Sequence, residues 1–206
     1  VLSQLKKDPL LRHIPVQIVT LDENRQHGLA RGAYSFVAKP SSIGAMSSAL
    51  SRMRQFAGHR RKRLLVVEDD PAERLGICEL LRHDDIEIET AASGRQALDR
   101  LKEEVADCVV LDLRLPDLSG FEVLEELTRS RELADIPVVV FTGRELSAEE
   151  DARLHQLARS IVVKGVESPE RLLDETALFL HRVVGELPAE KQRLIERLHT
   201  SDEDLV

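Results

Sequence analysis

Three carboxylates, a hydroxyl and an ammonium are the side chains of this sequence whose spacing points to chemistry. Glu68-Asp69-Asp70 follows directly on the apolar run Leu64-Leu65-Val66-Val67, and Asp112 follows directly on Cys108-Val109-Val110-Leu111. Thr142 closes the run Val138-Val139-Val140-Phe141, and Lys164 closes Ile161-Val162-Val163. If these runs are strands of one parallel sheet, every one of these groups sits at a strand carboxyl end, the edge where open α/β sheets bind ligands. With strand order 2-1-3-4-5 the first and third strands are neighbours, and Glu68, Asp69 and Asp112 converge. Three carboxylates so placed repel one another unless a cation neutralises them. Magnesium is the expected occupant, because it takes oxygen ligands, keeps several waters and accepts one or two carboxylates plus phosphate oxygens. A carboxylate beside it can attack a phosphoryl group and form an aspartyl phosphate. Thr142 and Lys164 then offer a donor and a positive charge to the oxygens of the transferred group. Taken singly, each residue has a plainer reading: an acidic pair after a strand usually caps a helix, and a strand-end Lys is usually solvated. Their joint occurrence, each at the correct strand end, reverses that judgement.

The elements that must position these groups are legible as five βα units from Arg63 onward. Strands are expected at Leu64–Val67, Glu87–Thr90, Cys108–Leu111, Val138–Phe141 and Ile161–Val163, three of them nearly continuous β-branched or aliphatic runs suited to a sheet covered on both faces. Helix starts are marked by Asp70-Pro71, Ser93, Ser119, Ser147 with Glu150 three residues on, and Ser168-Pro169-Glu170. In the last of these helices Leu172, Leu173, Thr176, Ala177, Leu180 and Val183 form one apolar stripe. A further helix is expected at about Ala189 to His199, after Leu187-Pro188.

This set of residues resembles the receiver domain of bacterial response regulators and hybrid histidine kinases. The resemblance covers about Lys62 to Val184. It rests on Val66-Val67-Glu68-Asp69-Asp70, on Asp112-Leu113-Arg114-Leu115-Pro116-Asp117-Leu118-Ser119-Gly120, on Thr142 and on Lys164. It implies a flavodoxin-like (βα)5 doubly wound parallel sheet of order 2-1-3-4-5, with Asp112 as phosphoacceptor. It further implies that Asp69, Asp112 and the backbone carbonyl of Arg114 ligate magnesium, that Glu68 assists through water, and that Thr142 and Lys164 bind the phosphoryl oxygens. Gly143 supplies the small residue the family carries after the Thr. The donor is implied to be a phospho-His on a histidine kinase or phosphotransfer domain, and the chain itself an acceptor rather than an enzyme. Two positions depart from the pattern. Gly165 follows Lys164 where the family usually has Pro, so the loop is expected to be differently shaped or more mobile. Ile161 occupies the place of a common aromatic switch residue, so output is expected to use another repacking. Arg114 and Arg144 follow the acceptor and the Thr by two positions, where cationic side chains could screen a phosphoryl group from water.

The first 58 residues carry a weak internal repeat of the second half of the domain. Ile14-Pro15-Val16-Gln17-Ile18-Val19-Thr20 echoes Ile136 to Thr142, and Ser35-Phe36-Val37-Ala38-Lys39 echoes Ser160 to Lys164. Residues 1–58 therefore read as strand, helix, strand, helix, the back half of a preceding receiver. Thr20 and Lys39-Pro40 stand in the equivalent places, but Leu21 follows Thr20 where a small residue leaves room for phosphate, so this copy is expected to be inactive. Docking on the intact receiver, or strand exchange in a homodimer, would cover its open edge. Residues 59–63 read as a basic linker, 64–184 as the complete receiver and 185–206 as a helical connector. The connector resembles those between consecutive receivers of multi-receiver hybrid histidine kinases, which makes such a kinase the expected parent and neighbouring receivers expected partners. The start at Val1-Leu2-Ser3 suggests an excised piece.

The totals agree. In 206 residues, 42% are hydrophobic and 32% charged, as in a soluble globular chain, while 3% aromatics leave the core to aliphatic side chains. Residues 1–61 hold ten basic against three acidic side chains, a net +7, which leaves −15 for the rest. That asymmetry fits electrostatic docking between two modules or simply two solvated surfaces. Arg60-Arg61-Lys62-Arg63 is too short and lacks the aromatics of a nucleic-acid interface. No apolar run reaches membrane-spanning length, so the cytoplasm is the expected compartment. Cys78 and Cys108, among apolar neighbours, read as reduced core residues. Two rival classes share parts of the pattern. An interaction module could keep the fold without using phosphate, but the complete set around Asp112 argues against it. A haloacid-dehalogenase-type phosphohydrolase also uses an Asp nucleophile, yet places it after the first strand in an Asp-x-Asp pattern that Glu68-Asp69-Asp70-Pro71 does not fit.

Overall fold

A computed structural model describes residues 1–8, 11–21, 28–29, 31–39, 41–57, 61–130, 132–165 and 168–203. Pro40, much of the stretch between Thr20 and Ser35 where the first N-terminal helix is expected, part of the basic linker and the end of the connector lie outside these residues.

Five parallel strands form the main sheet: β3 (Lys62–Val67), β4 (Ile86–Ala91), β5 (Cys108–Leu111), β6 (Val138–Thr142) and β7 (Ser160–Val163), in the order β4-β3-β5-β6-β7. This is the expected 2-1-3-4-5 arrangement. The strand bounds extend those expected by one or two residues at some ends. Because side chains alternate along a strand, each strand feeds two cores. Leu65, Val67, Val109, Leu111, Val138 and Val140 point to the face covered by α4 (Gly94–Glu103), α5 (Gly120–Arg129) and α6 (Ala148–Leu157). Leu64, Val66, Cys108, Val110, Val139 and Phe141 point to the face covered by α3 (Pro71–Leu81), α7 (Ser168–Phe179) and α8 (Ala189–Glu203). β5, β3 from Leu64 onward and β6 up to Phe141 are apolar because helices cover both faces. Cys108 is buried and Cys78 half-buried, both free thiols, and burial pushes both thiols up.

Local cap chemistry sets the helix starts. Asp70 accepts from the amides of Ala72 and Glu73 with Pro71 in the first turn, Ser93 accepts from Gln96, and Ser119–Glu122 and Ser147–Glu150 are reciprocal capping boxes. The apolar stripe of α7 is shorter than its spacing suggests. The helix stops at Phe179, and His181 adopts φ +52 while the Arg182 amide bonds back to the Ala177 carbonyl, a left-handed cap built without glycine. Leu180 is buried but Val183 turns outward. The connector does not leave the domain: Leu187, Ile195 and Leu198 are buried, the first two in the core beneath α7.

The N-terminal residues form a second, two-stranded parallel sheet, β1 (Gln17–Thr20) with β2 (Ser35–Ala38), flanked by α1 (Leu2–Lys7) and α2 (Ile43–Ala57). The sequence echo extends to the backbone pairing. Gln17 pairs with Ser35 and Thr20 with Ala38, just as Val139 pairs with Ser160 and Thr142 with Val163. The Lys39 amide donates to the Thr20 carbonyl at 2.8 Å and the Lys164 amide to the Thr142 carbonyl at 2.8 Å.

This unit is joined to the five-stranded unit by buried polar contacts. The Arg12 guanidinium, 4% exposed, donates to the Asp174 carboxylate at 2.6 Å, and His199 Nε2 lies 3.2 Å from that same carboxylate oxygen. Burial pushes the Asp174 carboxyl up, but His199 and Arg12 outweigh it and leave it below the usual range. Lys6 donates to the carbonyls of Arg12 and Ile14 and lies 3.2 Å from His181 Nδ1. Burial, with Lys6 nearby, holds the His181 imidazole down to about 3.

Candidate functional site

The register of the central strands brings the acidic groups together. Val67 pairs with Leu111, so the next residues, Glu68 and Asp112, leave the sheet side by side, and the Asp112 amide is fixed by the Val67 carbonyl at 2.9 Å. Glu68, Asp69 and Asp112 each offer a carboxylate oxygen, all within 4.8 Å of one another. Glu68 is 2% exposed and Asp112 6% exposed, whereas Asp69 is exposed. Asp70, the third acid of the run, does not join them: its carboxylate caps α3. The Arg74 guanidinium braces the turn by donating to the Glu68 carbonyl at 2.6 Å and the Asp69 carbonyl at 3.1 Å.

Opposite stand Thr142 and Lys164. Thr142 is fully buried, and its hydroxyl accepts from the Arg144 amide at 3.2 Å. Lys164 Nζ donates to Glu68 Oε2 at 2.9 Å, meets the carboxylate of Glu73 from α3, and lies 5.3 Å from the Phe141 ring centroid. Burial pushes the Glu68 carboxyl up, more than its bond and charge interaction with Lys164 pull it down. Burial alone would lower the Lys164 ammonium, but Glu73, Glu68 and the charge of Asp112 raise it above its ordinary value. The ammonium therefore stays charged and already senses Asp112.

One buried side-chain atom of this cluster, Asp112 Oδ1, has no hydrogen-bond partner among the described residues. An acceptor in that state carries a desolvation penalty unless something positive meets it. An all-oxygen donor set around such an atom fits a hard divalent cation such as magnesium.

The loop after Asp112 owes its shape to Gly120 and Asp117. A Cβ on Gly120 would lie 2.7 Å from the Asp112 carbonyl oxygen and 2.8 Å from Leu113 Cα, so α5 can start against this backbone only with glycine there. The Asp117 carboxylate accepts from the amides of Arg95, Gly94 and Leu118, tying the loop to the start of α4. The Arg95 bond foremost, with those of Gly94 and Leu118, holds its carboxyl down to about 2.

Other expected residues fall less closely into place. Gly143 lies beside Lys164, where a Cβ would meet Lys164 Cδ at an ordinary 3.5 Å, so the position has room for alanine. The Arg114 side chain is exposed, and the Arg144 guanidinium is taken by Glu150. Ile161 packs half-buried against the α4–α6 core. Glu73, Arg74 and Asp117 were not read from the sequence as site-shaping residues. The first turn of a helix that begins at the site was the one signal for the first two.

Comparison with known proteins agrees with this geometry. A family model described as the response regulator receiver domain matches residues 64–177. Response regulator MprA of Mycolicibacterium vanbaalenii is 35% identical over 117 residues, covering 57% of this chain and 50% of the relative. Transcriptional regulatory protein AfsQ1 of Streptomyces coelicolor is 36% identical over 111 residues, covering 54% and 47%. The chain thus spans about half the length of the curated relatives it matches. Among solved structures, the chemotaxis response regulator CheY4 of Vibrio cholerae is 27% identical with a TM-score of 0.52, over 57% of this chain and 98% of that one. The phosphorylated cyanobacterial phytochrome response regulator RcpA is 26% identical with a TM-score of 0.54, over 58% and 94%.

Proposed function

From the premise that this chain belongs to the response regulator receiver domain family, we propose that Asp112 accepts a phosphoryl group from a phospho-His donor on a histidine kinase or phosphotransfer domain. In this step an Asp112 carboxylate oxygen bonds to phosphorus while the phosphorus–nitrogen bond breaks, and the histidine nitrogen leaves with the electron pair. Asp69, Asp112 and the Arg114 carbonyl, with Glu68 through water, would hold magnesium, which supplies positive charge beside the transferred group. The chain's own residues do the rest. The Thr142 hydroxyl donates to a phosphoryl oxygen, the Lys164 ammonium offsets the charge on the equatorial oxygens, and Gly120 and Asp117 fix the backbone that carries the nucleophile. The observation that carries this reading is Asp112 Oδ1, buried beside the carboxylates of Glu68 and Asp69 and without a donor among the described residues.

The test is labelling of the full chain by acetyl phosphate with magnesium, set against Asp112→Asn. Label on the wild type alone supports the reading, and equal label on both, or on neither, refutes it. As an acceptor rather than an enzyme, the chain should not turn over phosphate esters repeatedly.

We further propose that residues 1–58 are the back half of a preceding, inactive receiver, which the matched register of β1–β2 and β6–β7 supports. A phosphopeptide mapped to residues 1–58 would overturn the inactivity. On this reading the parent polypeptide is a cytoplasmic or membrane-tethered hybrid histidine kinase with consecutive receivers. The sequence flanking residues 1 and 206 decides this: a kinase core supports it, and a DNA-binding output overturns it.

A further inference from the structure

Beside the acceptor site stands a charged residue that the phosphoryl chemistry above does not use. Glu73 occupies the first turn of α3, its side chain about half exposed, and its carboxylate meets Lys164 Nζ. The ammonium thus has two carboxylate partners on two different elements, Glu68 from the end of β3 at 2.9 Å and Glu73 from α3. The two differ in kind. Glu68 is buried and also accepts from the Asp70 amide at 3.2 Å, whereas Glu73 reaches the ammonium from the solvent side.

We propose that Glu73 is a positioning residue of the phosphorylation site, a counter-ion that holds Lys164 in the unmodified chain and yields it when Asp112 carries phosphate. This rests on the reading of Asp112 as the acceptor. Three features support the exchange. An ion pair with one exposed partner is weak and readily broken, while an aspartyl phosphate concentrates more negative charge beside the same ammonium. Glu73 is not stranded once released, because the first turn of a helix favours an acidic side chain. Gly165 after Lys164 imposes no proline-ring constraint on the strand end. The consequence is a link between phosphate on Asp112 and the start of α3, on the face of the sheet opposite α4, α5 and α6.

The experiment measures the rate of acetyl phosphate labelling and the lifetime of the label on the full chain for wild type, Glu73→Gln, Lys164→Ala and the double variant. In the labelling step the bond from phosphorus to the acetyl oxygen breaks, the bond to an Asp112 oxygen forms, and acetate leaves. Glu73→Gln should label about twofold to fivefold faster than wild type, the range an exposed ion pair spans, and hold the label longer. The gain should shrink in high salt and vanish in the Lys164→Ala background. A role confined to helix stability would shift the melting temperature but not this coupling. If wild type labels and Glu73→Gln labels at the same rate, the Glu73 proposal is overturned and the acceptor assignment stands. Acceleration that persists without Lys164 overturns it as well. If wild type takes no label, both readings fall together.

Discussion

Gly120→Ala and Gly76→Ala are the same chemical change with opposite expected signs. At Gly120 the new methyl would lie 2.7 Å from the Asp112 carbonyl oxygen, 2.8 Å from Leu113 Cα and 2.9 Å from Leu113 Cδ2. Two of these neighbours are backbone, so relief requires α5 or the acceptor loop to move. Overpacking of this kind costs about 1–3 kcal/mol. The helix-propensity gain of up to ~1 kcal/mol for alanine is only partly realised in a first turn, so a net loss of about 1–2 kcal/mol is expected. At Gly76, inside α3, a Cβ meets nothing within 4 Å, and alanine should add about 0.5–1 kcal/mol. With a urea slope of roughly 2 kcal/mol per molar, the midpoints should move down by ~0.5–1 M and up by ~0.3–0.5 M, respectively. Gly120→Ala should also slow acetyl phosphate labelling by at least about tenfold, because the displaced backbone carries the nucleophile. A Gly120→Ala midpoint at or above wild type, or unchanged labelling, would show that the loop is not held by this close approach.

Two further outcomes follow from the electrostatics. Asp117→Asn removes a carboxylate held by the Arg95, Gly94 and Leu118 amides, whose carboxyl is depressed from 3.8 to about 2. Its contribution is fully present above pH 3.8 and is lost as pH falls toward 2, so wild-type and variant urea midpoints should differ near neutrality and converge in acid. A pH-independent gap refutes this. Arg12→Met removes the guanidinium from the buried Asp174 carboxylate and leaves His199 beside it, which should cost about 3–5 kcal/mol and lower the melting temperature by roughly 10 °C. Arg12→Met combined with Asp174→Leu should recover most of that loss, and no recovery would mean that the guanidinium acts through something other than the carboxylate.

Much of the sheet and of the acceptor site was legible because both depend on local pattern. Continuous aliphatic runs mark doubly covered strands, and Ser or Asp caps mark where the chain turns into helix, so Asp112, Thr142 and Lys164 could be placed at strand ends. What could not be read depends on partners distant in sequence or on competing local geometry. Glu73 and Arg74 look like ordinary surface charges of a helix until β7 and the acidic turn are folded beside them. Asp117 lies within the recognised loop, but its three amides belong partly to α4, whose distance no spacing reports. The apolar period through Val183 predicted one more turn of α7, and a left-handed His181 ended it, a role for which glycine would have been the signal. Asp174, inside an otherwise apolar stripe, is tolerated only because Arg12 and His199 arrive from the two ends of the chain.

That last arrangement separates two notions of a domain. The stretch shared with relatives, residues 64–177, is the unit that evolution copies, yet it does not balance its own charge. Asp174 lies inside it, while the groups that compensate this carboxylate, Arg12 and His199, lie outside on opposite sides. Trimming the chain to the shared stretch would therefore be an electrostatic perturbation as well as a shortening. The excised piece would bury or expose a lone carboxylate that the longer chain neutralises, and its acid sensitivity would describe the cut rather than the protein.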